Sequence, residues 1–307
     1  MPTAVLIANP SASQFTGGVF REITATLSRT FDVTTEWPIS AHETELVAGR
    51  AAHSGCDVVF SMGGDGVAHH VANAVVHSDT ALGIIPVGTT NVLARILGIP
   101  LKASRAASHA IGFDALPTRV VKVDAVTPVG ELTRYATFAL GIGFDADVVE
   151  SAETRPFSKT RFGSVHYAST AIGRLLSSWR SEPPNLRMSC DGDRFDAVAA
   201  LTQVHDPYTY FGRLPLRLTA EPPMGVATLA ADNLGITRAT EIFSRAAIGL
   251  SHRDATGIRL WTDYKRLDVE ADPRTPFQAD GELLGHASHM SIAPVDDALL
   301  VLRPQSG

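Results

Sequence analysis

The segment Cys56–Ser61 is a short apolar run that ends in Met62-Gly63-Gly64-Asp65-Gly66, and a helical pattern begins directly behind it, with Val67, Val71, Ala74 and Val75 on one face. A strand that stops at a glycine loop and opens at once into a helix is a βα unit, and such units assemble into parallel sheets covered by helices. The pattern repeats along the first hundred residues. Residues 4–8 and 81–85 are further apolar runs, and Phe31–Glu36 resembles another strand. Helical spacing occupies residues 19–29 (Val19, Ile23, Leu27), 44–52 and 91–97. The expectation is an α/β domain with a mostly parallel sheet.

From Arg119 onward the text changes. Strand-like runs cover Arg119–Val126, Thr133–Leu140, Leu186–Cys190, Phe195–Val204, Leu214–Leu218, Val226–Ala231, Gly257–Thr262 and Arg266–Glu270. Asp191-Gly192 between two runs is a hairpin signal. Helices are expected only at Val165–Trp179 and Arg238–Ile248. This predicts a predominantly antiparallel, sandwich-like β domain, with a helix at Ala103–Ile111 closing the first domain. The division is therefore 1–117 for the α/β domain and 118–304 for the β-rich domain, with a frayed end after Pro304.

Composition narrows the classes. The 307 residues suit about two domains. Hydrophobic residues at 45% and charged residues at 19% are ordinary globular values. No run reaches the ~20 apolar residues of a membrane-spanning helix, and the first ten residues lack the basic start and long apolar run of a signal peptide. A net charge of −6 argues against a general nucleic-acid binder. Cys56 and Cys190 cannot make a disulfide framework and read as buried, reduced thiols of a cytoplasmic protein.

Three loops stand at strand ends. Gly63-Gly64-Asp65-Gly66 allows positive φ and close backbone approach to a ligand, and a helix N-terminus behind it favours phosphate. Asp65 could orient a metal–phosphate group or brace the loop. Pro86-Val87-Gly88-Thr89-Thr90-Asn91 also opens a helix, with Asn91 as its expected cap. Asn9-Pro10-Ser11-Ala12-Ser13 follows the first strand. In an open α/β sheet such loops converge on one crevice. Far away stands Asp280-Gly281-Glu282: extended, it would project both carboxylates to one side, whereas Asp-Gly is equally a turn dipeptide.

These elements, with Ala94-Arg95 and Gly141-Ile142-Gly143-Phe144-Asp145-Ala146, occur in the order seen in the diacylglycerol kinase catalytic-domain family, which includes bacterial lipid kinases and the sphingosine and ceramide kinases. The resemblance runs from Val5 to about Pro304. It implies an ATP site formed by Asn9, Pro10, Ser11, Ser13, Gly63, Gly64, Asp65, Gly66, Val67, Gly88, Thr89, Thr90 and Asn91, extending to His70. It implies that Asp280 is the base that takes the proton of a lipid hydroxyl, with Glu282 beside it. Asp65 and Asp124 would form a carboxylate network around Mg²⁺ carried with ATP. A strand Asp such as Asp124 would be costly to bury without a partner.

The chain departs from the family pattern at several positions. Val67 stands for a threonine, His70 for a glutamate, Val92 for an aspartate and Ser13 for a glycine. The family threonine after the second strand falls at Thr35 or is replaced by Trp37. Met224, within Glu221–Val226, replaces a carboxylate, so a structural metal site is expected to be absent. His69, His70 and His77 lack ligand spacing for a metal and read as a solvated helix face. Arg155–Arg180 is basic and aromatic, and its first part, Arg155–Arg161, suits an anionic membrane surface.

The expectation is a cytoplasmic, ATP- and Mg²⁺-dependent lipid kinase that visits the membrane surface, acting on diacylglycerol or a related lipid. An edge strand could pair two copies into a homodimer or stay covered. The alternatives are a related kinase with a soluble acceptor such as NAD, and a non-catalytic nucleotide- or lipid-binding protein. A dinucleotide oxidoreductase is disfavoured, because no Gly-x-Gly-x-x-Gly follows the first strand.

Overall fold

The structure is a computed structural model and describes residues 1–153, 183–219 and 226–305. The chain divides into two compact units, Met1–Val120 with Asp296–Gly307, and Val121–Val295.

In the first unit, β1 (Thr3–Ala8), β2 (Asp32–Glu36), β3 (Val58–Gly63) and β4 (Ala81–Pro86) form a parallel sheet in the order β2-β1-β3-β4. Every residue of β3 and β4 is buried, as expected for strands covered on both faces. The helices are α1 (Gly17–Leu27), α2 (Ala41–His53), α3 (Asp65–Val75), α4 (Val92–Ile96) and α5 (Ala103–Ala110). Local sequence explains their starts. Thr16 accepts the Val19 N–H at 3.1 Å. Ser40 accepts the Glu43 N–H at 3.1 Å while Glu43 reaches back to the Ile39 N–H at 2.8 Å, a reciprocal cap. α1 buries Ile23 and Leu27, the stripe legible in the sequence.

The second unit is antiparallel. It contains β6 (Gly130–Ala136), β7 (Ala139–Gly143), α6 (Phe144–Glu153), β8 (Leu186–Cys190), β9 (Asp193–Ala197), β10 (Ala199–Gln203), β11 (Thr209–Phe211), β12 (Leu214–Leu216), β13 (Ala227–Ala231), α7 (Ile236–Ile248), β14 (Ile258–Thr262) and β15 (Leu267–Ala279). β5 (Asp114–Thr127) and β16 (Glu282–Arg303) have residues in both units. The sheet path in this unit is β14-β13-β10-β7-β15-β16, with β8 beside β15 and β9 beside β8. Leu140, Ile142, Trp261, Leu267, Phe277, Met290 and Ile292 are buried together in its core. The α/β plus antiparallel β class is therefore as read from the sequence.

Details differ. Thr133–Leu140 is two strands, because the chain turns at Thr137-Phe138 and those N–H groups go to a side chain instead of a neighbouring strand. Phe195–Val204 is likewise split at Val198, whose N–H bonds to Ala231 O. The 22-residue β16 was not expected, since Gly285, Pro294 and the Asp296-Asp297 pair break its alternation. The segment after Asp296, read with the second domain, belongs to the first unit, where Val301 pairs with Leu82 in parallel. Asp191 (φ 49°) and Gly192 (φ 85°) form the expected tight hairpin between β8 and β9. Both cysteines are free and buried. The Val165–Trp179 helix, the Arg155–Arg180 stretch and Met224 lie outside the described residues.

Candidate functional site

The strand register of the first unit brings three loops to one end of its sheet. Ala8 pairs with Met62, and Gly63 with Pro86. The loops then bond to one another. Asn9 N–H donates to Met62 O at 2.9 Å, and Val87 and Gly88 N–H both donate to Gly63 O, at 2.9 and 3.1 Å. Gln14 N–H donates to Val87 O at 2.9 Å and Gln14 Nε2 to Gly88 O at 2.6 Å. The Ser13 and Thr89 hydroxyls lie 3.1 Å apart. Asn9 Oδ1 accepts the Ser11 N–H at 2.9 Å, turning the chain behind Pro10.

The glycines serve close approach, and the expectation of positive φ is not met at 63, 64, 66 or 88. A Cβ on Gly63 would lie 2.5 Å from Val67 Cγ2, and one on Gly88 would lie 2.5 Å from Gly64 Cα. Gly64 caps α3 and offers no side chain, so the first-turn N–H groups have no capping oxygen. Asp65, in that first turn, accepts the Leu93 N–H on Oδ1 at 3.2 Å, which ties the glycine loop to α4. Asn91 occupies the cap position of α4 but does not cap it. Its φ is +50°, its Nδ2 donates to Gly88 O at 2.9 Å, and its Oδ1 accepts the Gly88 N–H at 3.2 Å. Thr90 is half-buried beside it.

Of the three histidines, His77 is exposed but lies beyond the end of α3, whereas His69 and His70 are not on a solvated face. His69 is buried, and Asn73 Nδ2 donates to its carbonyl at 3.0 Å. His70 Nδ1 lies 2.9 Å from Glu45 Oε1 on α2. The two helices pack on each other, which amphipathic counting on α3 alone does not reveal. Trp37 lies against Phe20 with ring centroids 4.7 Å apart and planes tilted by 53°, and it meets Phe15 edge-on at 6.0 Å.

In the second unit, Asp280-Gly281 is a two-residue turn joining β15 to β16, with φ of +56° and +82° and Ala279 opposite Glu282. The extended arrangement of Asp280 and Glu282 is therefore replaced by a chain reversal. Asp280 is 3% exposed. Its Oδ1 accepts N–H groups of Phe138 at 2.9 Å and Ala139 at 3.1 Å, and its Oδ2 accepts the Thr137 N–H at 2.8 Å and the Thr137 hydroxyl at 2.9 Å. The carboxylate thus holds the β6–β7 turn.

Asp124 lies on the open face of β5. Thr133 Oγ1 donates to its Oδ1 at 2.6 Å and Lys122 Nζ sits 2.8 Å from Oδ2. Partial burial alone would raise its pKa, but Lys122 and Thr133 hold it below the usual carboxylate range. The partner expected for a strand aspartate is therefore a lysine and a threonine.

Sequence reading gave no role to Asp145, Tyr208 and Gln278. Asp145 Oδ2 accepts the Tyr208 hydroxyl at 2.9 Å and Gln278 Nε2 at 2.6 Å. Burial pushes the Asp145 carboxyl up, and burial, then Asp145, pushes the Tyr208 hydroxyl well above its usual value. The only signal available beforehand was the position of Asp145 in the Gly141–Ala146 motif.

Among the described residues, no three His, Cys, Asp or Glu side chains are grouped to hold a metal ion, and no helix is long and apolar enough to cross a membrane. These two units define an α/β domain with a parallel sheet and an antiparallel β domain. Residues 3–123 match the model of the diacylglycerol kinase catalytic domain, so the resemblance to that kinase family holds. Over 269 residues the chain is 27% identical to a diacylglycerol kinase of Mycobacterium tuberculosis, covering 87% of this chain and 83% of that protein. The crystal structure of a diacylglycerol kinase from Bacillus anthracis superposes with a TM-score of 0.68 at 18% identity, over 98% of this chain and 97% of that one. Yeast NADH kinase superposes at 0.51 with 9% identity, over 99% of this chain and 84% of its own. At these identities the two structures speak for the fold alone.

Proposed function

We propose that this protein is an ATP- and Mg²⁺-dependent lipid kinase that transfers the γ-phosphate to a lipid hydroxyl, with diacylglycerol as the first candidate acceptor. The observation that carries the proposal is the mutual locking of Gly63-Gly64-Asp65 with Gly88 and Asn91 at the end of a parallel sheet. That cradle admits a phosphate chain against backbone N–H groups. Asn9, Pro10, Ser11, Ser13, Gly66, Val67, Thr89 and Thr90 would complete the nucleotide site. Mg²⁺ usually keeps several waters and takes one or two carboxylates plus the phosphates, so a single loop carboxylate can serve an ion that arrives with ATP. Asp65 is the loop carboxylate that would hold it, and its chemistry would be to offset charge on the phosphates. Asp124, held by Lys122 and Thr133, would be the second carboxylate of the proposal. In the second unit, Asp280 would accept the proton of the lipid hydroxyl. Its tight anchoring by Thr137, Phe138 and Ala139 pre-sets its orientation, which is what phosphoryl transfer requires of a base. Glu282 would lie on the strand that follows. A soluble chain acting on a lipid works at a bilayer surface, so peripheral membrane binding and a cytoplasmic location are part of the proposal, as is a homodimer through an edge strand.

A second reading is favoured by one observation: the Asp280 oxygens are already engaged by backbone and hydroxyl donors, as in a purely structural anchor. That reading is a non-catalytic protein that binds nucleotide or lipid. The test is phosphate transfer from labelled ATP, with Mg²⁺, to a panel of hydroxyl lipids in mixed micelles and to NAD, for wild type and Asp280→Asn. Transfer to one lipid, lost in the variant, supports the kinase and names its acceptor. ATP binding without transfer supports the second reading. Transfer to NAD alone moves the protein to a soluble acceptor.

A further inference from the structure

Asp280 sits in a turn that needs bracing. Both turn residues occupy the left-handed region, where Asp280 at φ +56° is less at ease than Gly281 at +82°. The carboxylate is held by the β6–β7 turn, as described above. The backbone of the turn is held from the other side. Gly281 N–H donates to Gln278 Oε1 at 2.8 Å, and the other end of the same amide, Nε2, donates to Asp145 Oδ2 at 2.6 Å. An amide that donates at one end and accepts at the other has a single orientation. Both ends fix it: the Gly281 N–H requires the oxygen and Asp145 Oδ2 requires the nitrogen. Tyr208 donates to the same oxygen and holds Asp145 in turn. Gln278 and Tyr208 are buried, at 2% and 7% exposure.

The backbone below this cluster is shaped for it. Gly141 pairs with Gln278 across β7 and β15. A Cβ at Gly141 would lie 2.1 Å from Asp145 Oδ2 and 2.7 Å from Gln278 Nε2. Gly141 does not have a positive φ, so this glycine answers to the space the hydrogen bond needs.

We propose that Asp145 is a positioning residue that acts through Gln278 to set the Asp280-Gly281 turn, and so the aim of the Asp280 carboxylate. The proposal rests on the reading of Asp280 as the base for the lipid hydroxyl. It requires only that Asp145 present an acceptor oxygen. Both donors reach one oxygen, Oδ2, so an asparagine amide oxygen can serve both.

The test compares wild type with Asp145→Ala, Gln278→Met, Asp145→Asn and Asp280→Asn. Three quantities are read: kcat and KM for ATP in the lipid assay, and the amide exchange rate of Gly281 by NMR. Gln278→Met keeps the packing volume and guards against a variant that merely fails to fold. The expected result is a kcat lower by about 10- to 100-fold in Asp145→Ala and Gln278→Met, with KM for ATP within about twofold, the scale at which loss of a supporting partner shifts activity. Gly281 exchange accelerates in both. Asp145→Asn restores kcat and exchange to wild-type values. Unchanged Gly281 exchange in Asp145→Ala overturns the proposal, whether or not turnover is detectable. A kcat loss shared equally by Asp145→Asn also overturns it, since the charge and not the acceptor would then matter. Full activity in Asp280→Asn removes the base reading, while the exchange data still decide whether Asp145 sets the turn.

Discussion

Gly88 and Gly64 meet backbone to backbone, so that a Cβ on Gly88 would come within 2.5 Å of Gly64 Cα and 2.9 Å of Asn91 Oδ1. Gly64 Cα is backbone and cannot swing away, and the Asn91 amide is held by its two hydrogen bonds to Gly88. Gly88→Ala should therefore separate the two loops, at an overpacking cost of about 1–3 kcal/mol. ATP affinity should fall by more than stability accounts for. Urea unfolding and calorimetric ATP titration check both, and unchanged ATP affinity would remove these loops from the nucleotide site.

Asp65 separates two effects. Asp65→Ala leaves the Leu93 N–H without its acceptor, which should cost about 1–3 kcal/mol. Asp65→Asn keeps an acceptor oxygen and should lose less stability. In the asparagine variant the Mg²⁺ concentration for half-maximal transfer should rise, because a neutral amide is a poor ligand for a hard cation. A magnesium titration of the transfer rate reads this, and an unchanged midpoint would count against Asp65 as the ion's carboxylate.

Thr137→Val removes the hydroxyl that donates to Asp280 at 2.9 Å and leaves the backbone N–H in place. A hydrogen bond to a charged group is worth about 1.5–3 kcal/mol, and the variant should lose stability on that scale in chemical denaturation. A loss below a few tenths of a kcal/mol would mean that the backbone donors alone hold the carboxylate.

Burial raises the Asp145 carboxyl above its ordinary value, against the pull of Gln278 and Tyr208. An acid whose folded pKa lies above its unfolded value binds more protons when folded. Its contribution to stability is greatest at low pH and declines as pH rises through the folded value. Asp145→Asn cannot titrate, so its Tm relative to wild type should climb between acid and neutral pH. Tyr208, bonded to the same oxygen, stays protonated throughout because its hydroxyl is pushed well above its usual range. Parallel melting curves across pH would contradict this account.

Burial, followed by Asp191, Asp193 and Asp268, pushes the Cys190 thiol up to about 11. Thiolate is the reactive form, so native protein at pH 8 should resist alkylation at Cys190 and react fully only after unfolding. Peptide mass spectrometry after a timed iodoacetamide treatment measures it.

The legible part of the protein was the part written in neighbouring residues. β1, β3 and β4 were visible because strands buried on both faces are continuous apolar runs, and the loops after them because glycine and proline interrupt those runs. The Lys122–Asp124 pair was within reach too, since residues two apart share a face of a strand. His70 was misjudged because its partner, Glu45, stands on α2, a different stretch of chain. Asn91 was expected to cap a helix, and its side chain instead closes on Gly88, since its αL backbone is not the extended one that a capping side chain needs.

The sequence alone determined the α/β and antiparallel β classes, the order of the three strand-end loops and the family resemblance, because periodicity and turn chemistry act over a few residues. Tertiary structure decided what each functional side chain touches. The strand at 133–140 breaks where it does because a carboxylate 143 residues away takes the Thr137 N–H. Gly64 is constrained by Gly88, and Asp280 is set from one side by Thr137 and from the other by Gln278 and Asp145. Such contacts depend on strand register and on which buried polar groups must find partners. Those conditions exist only once distant segments have been brought together.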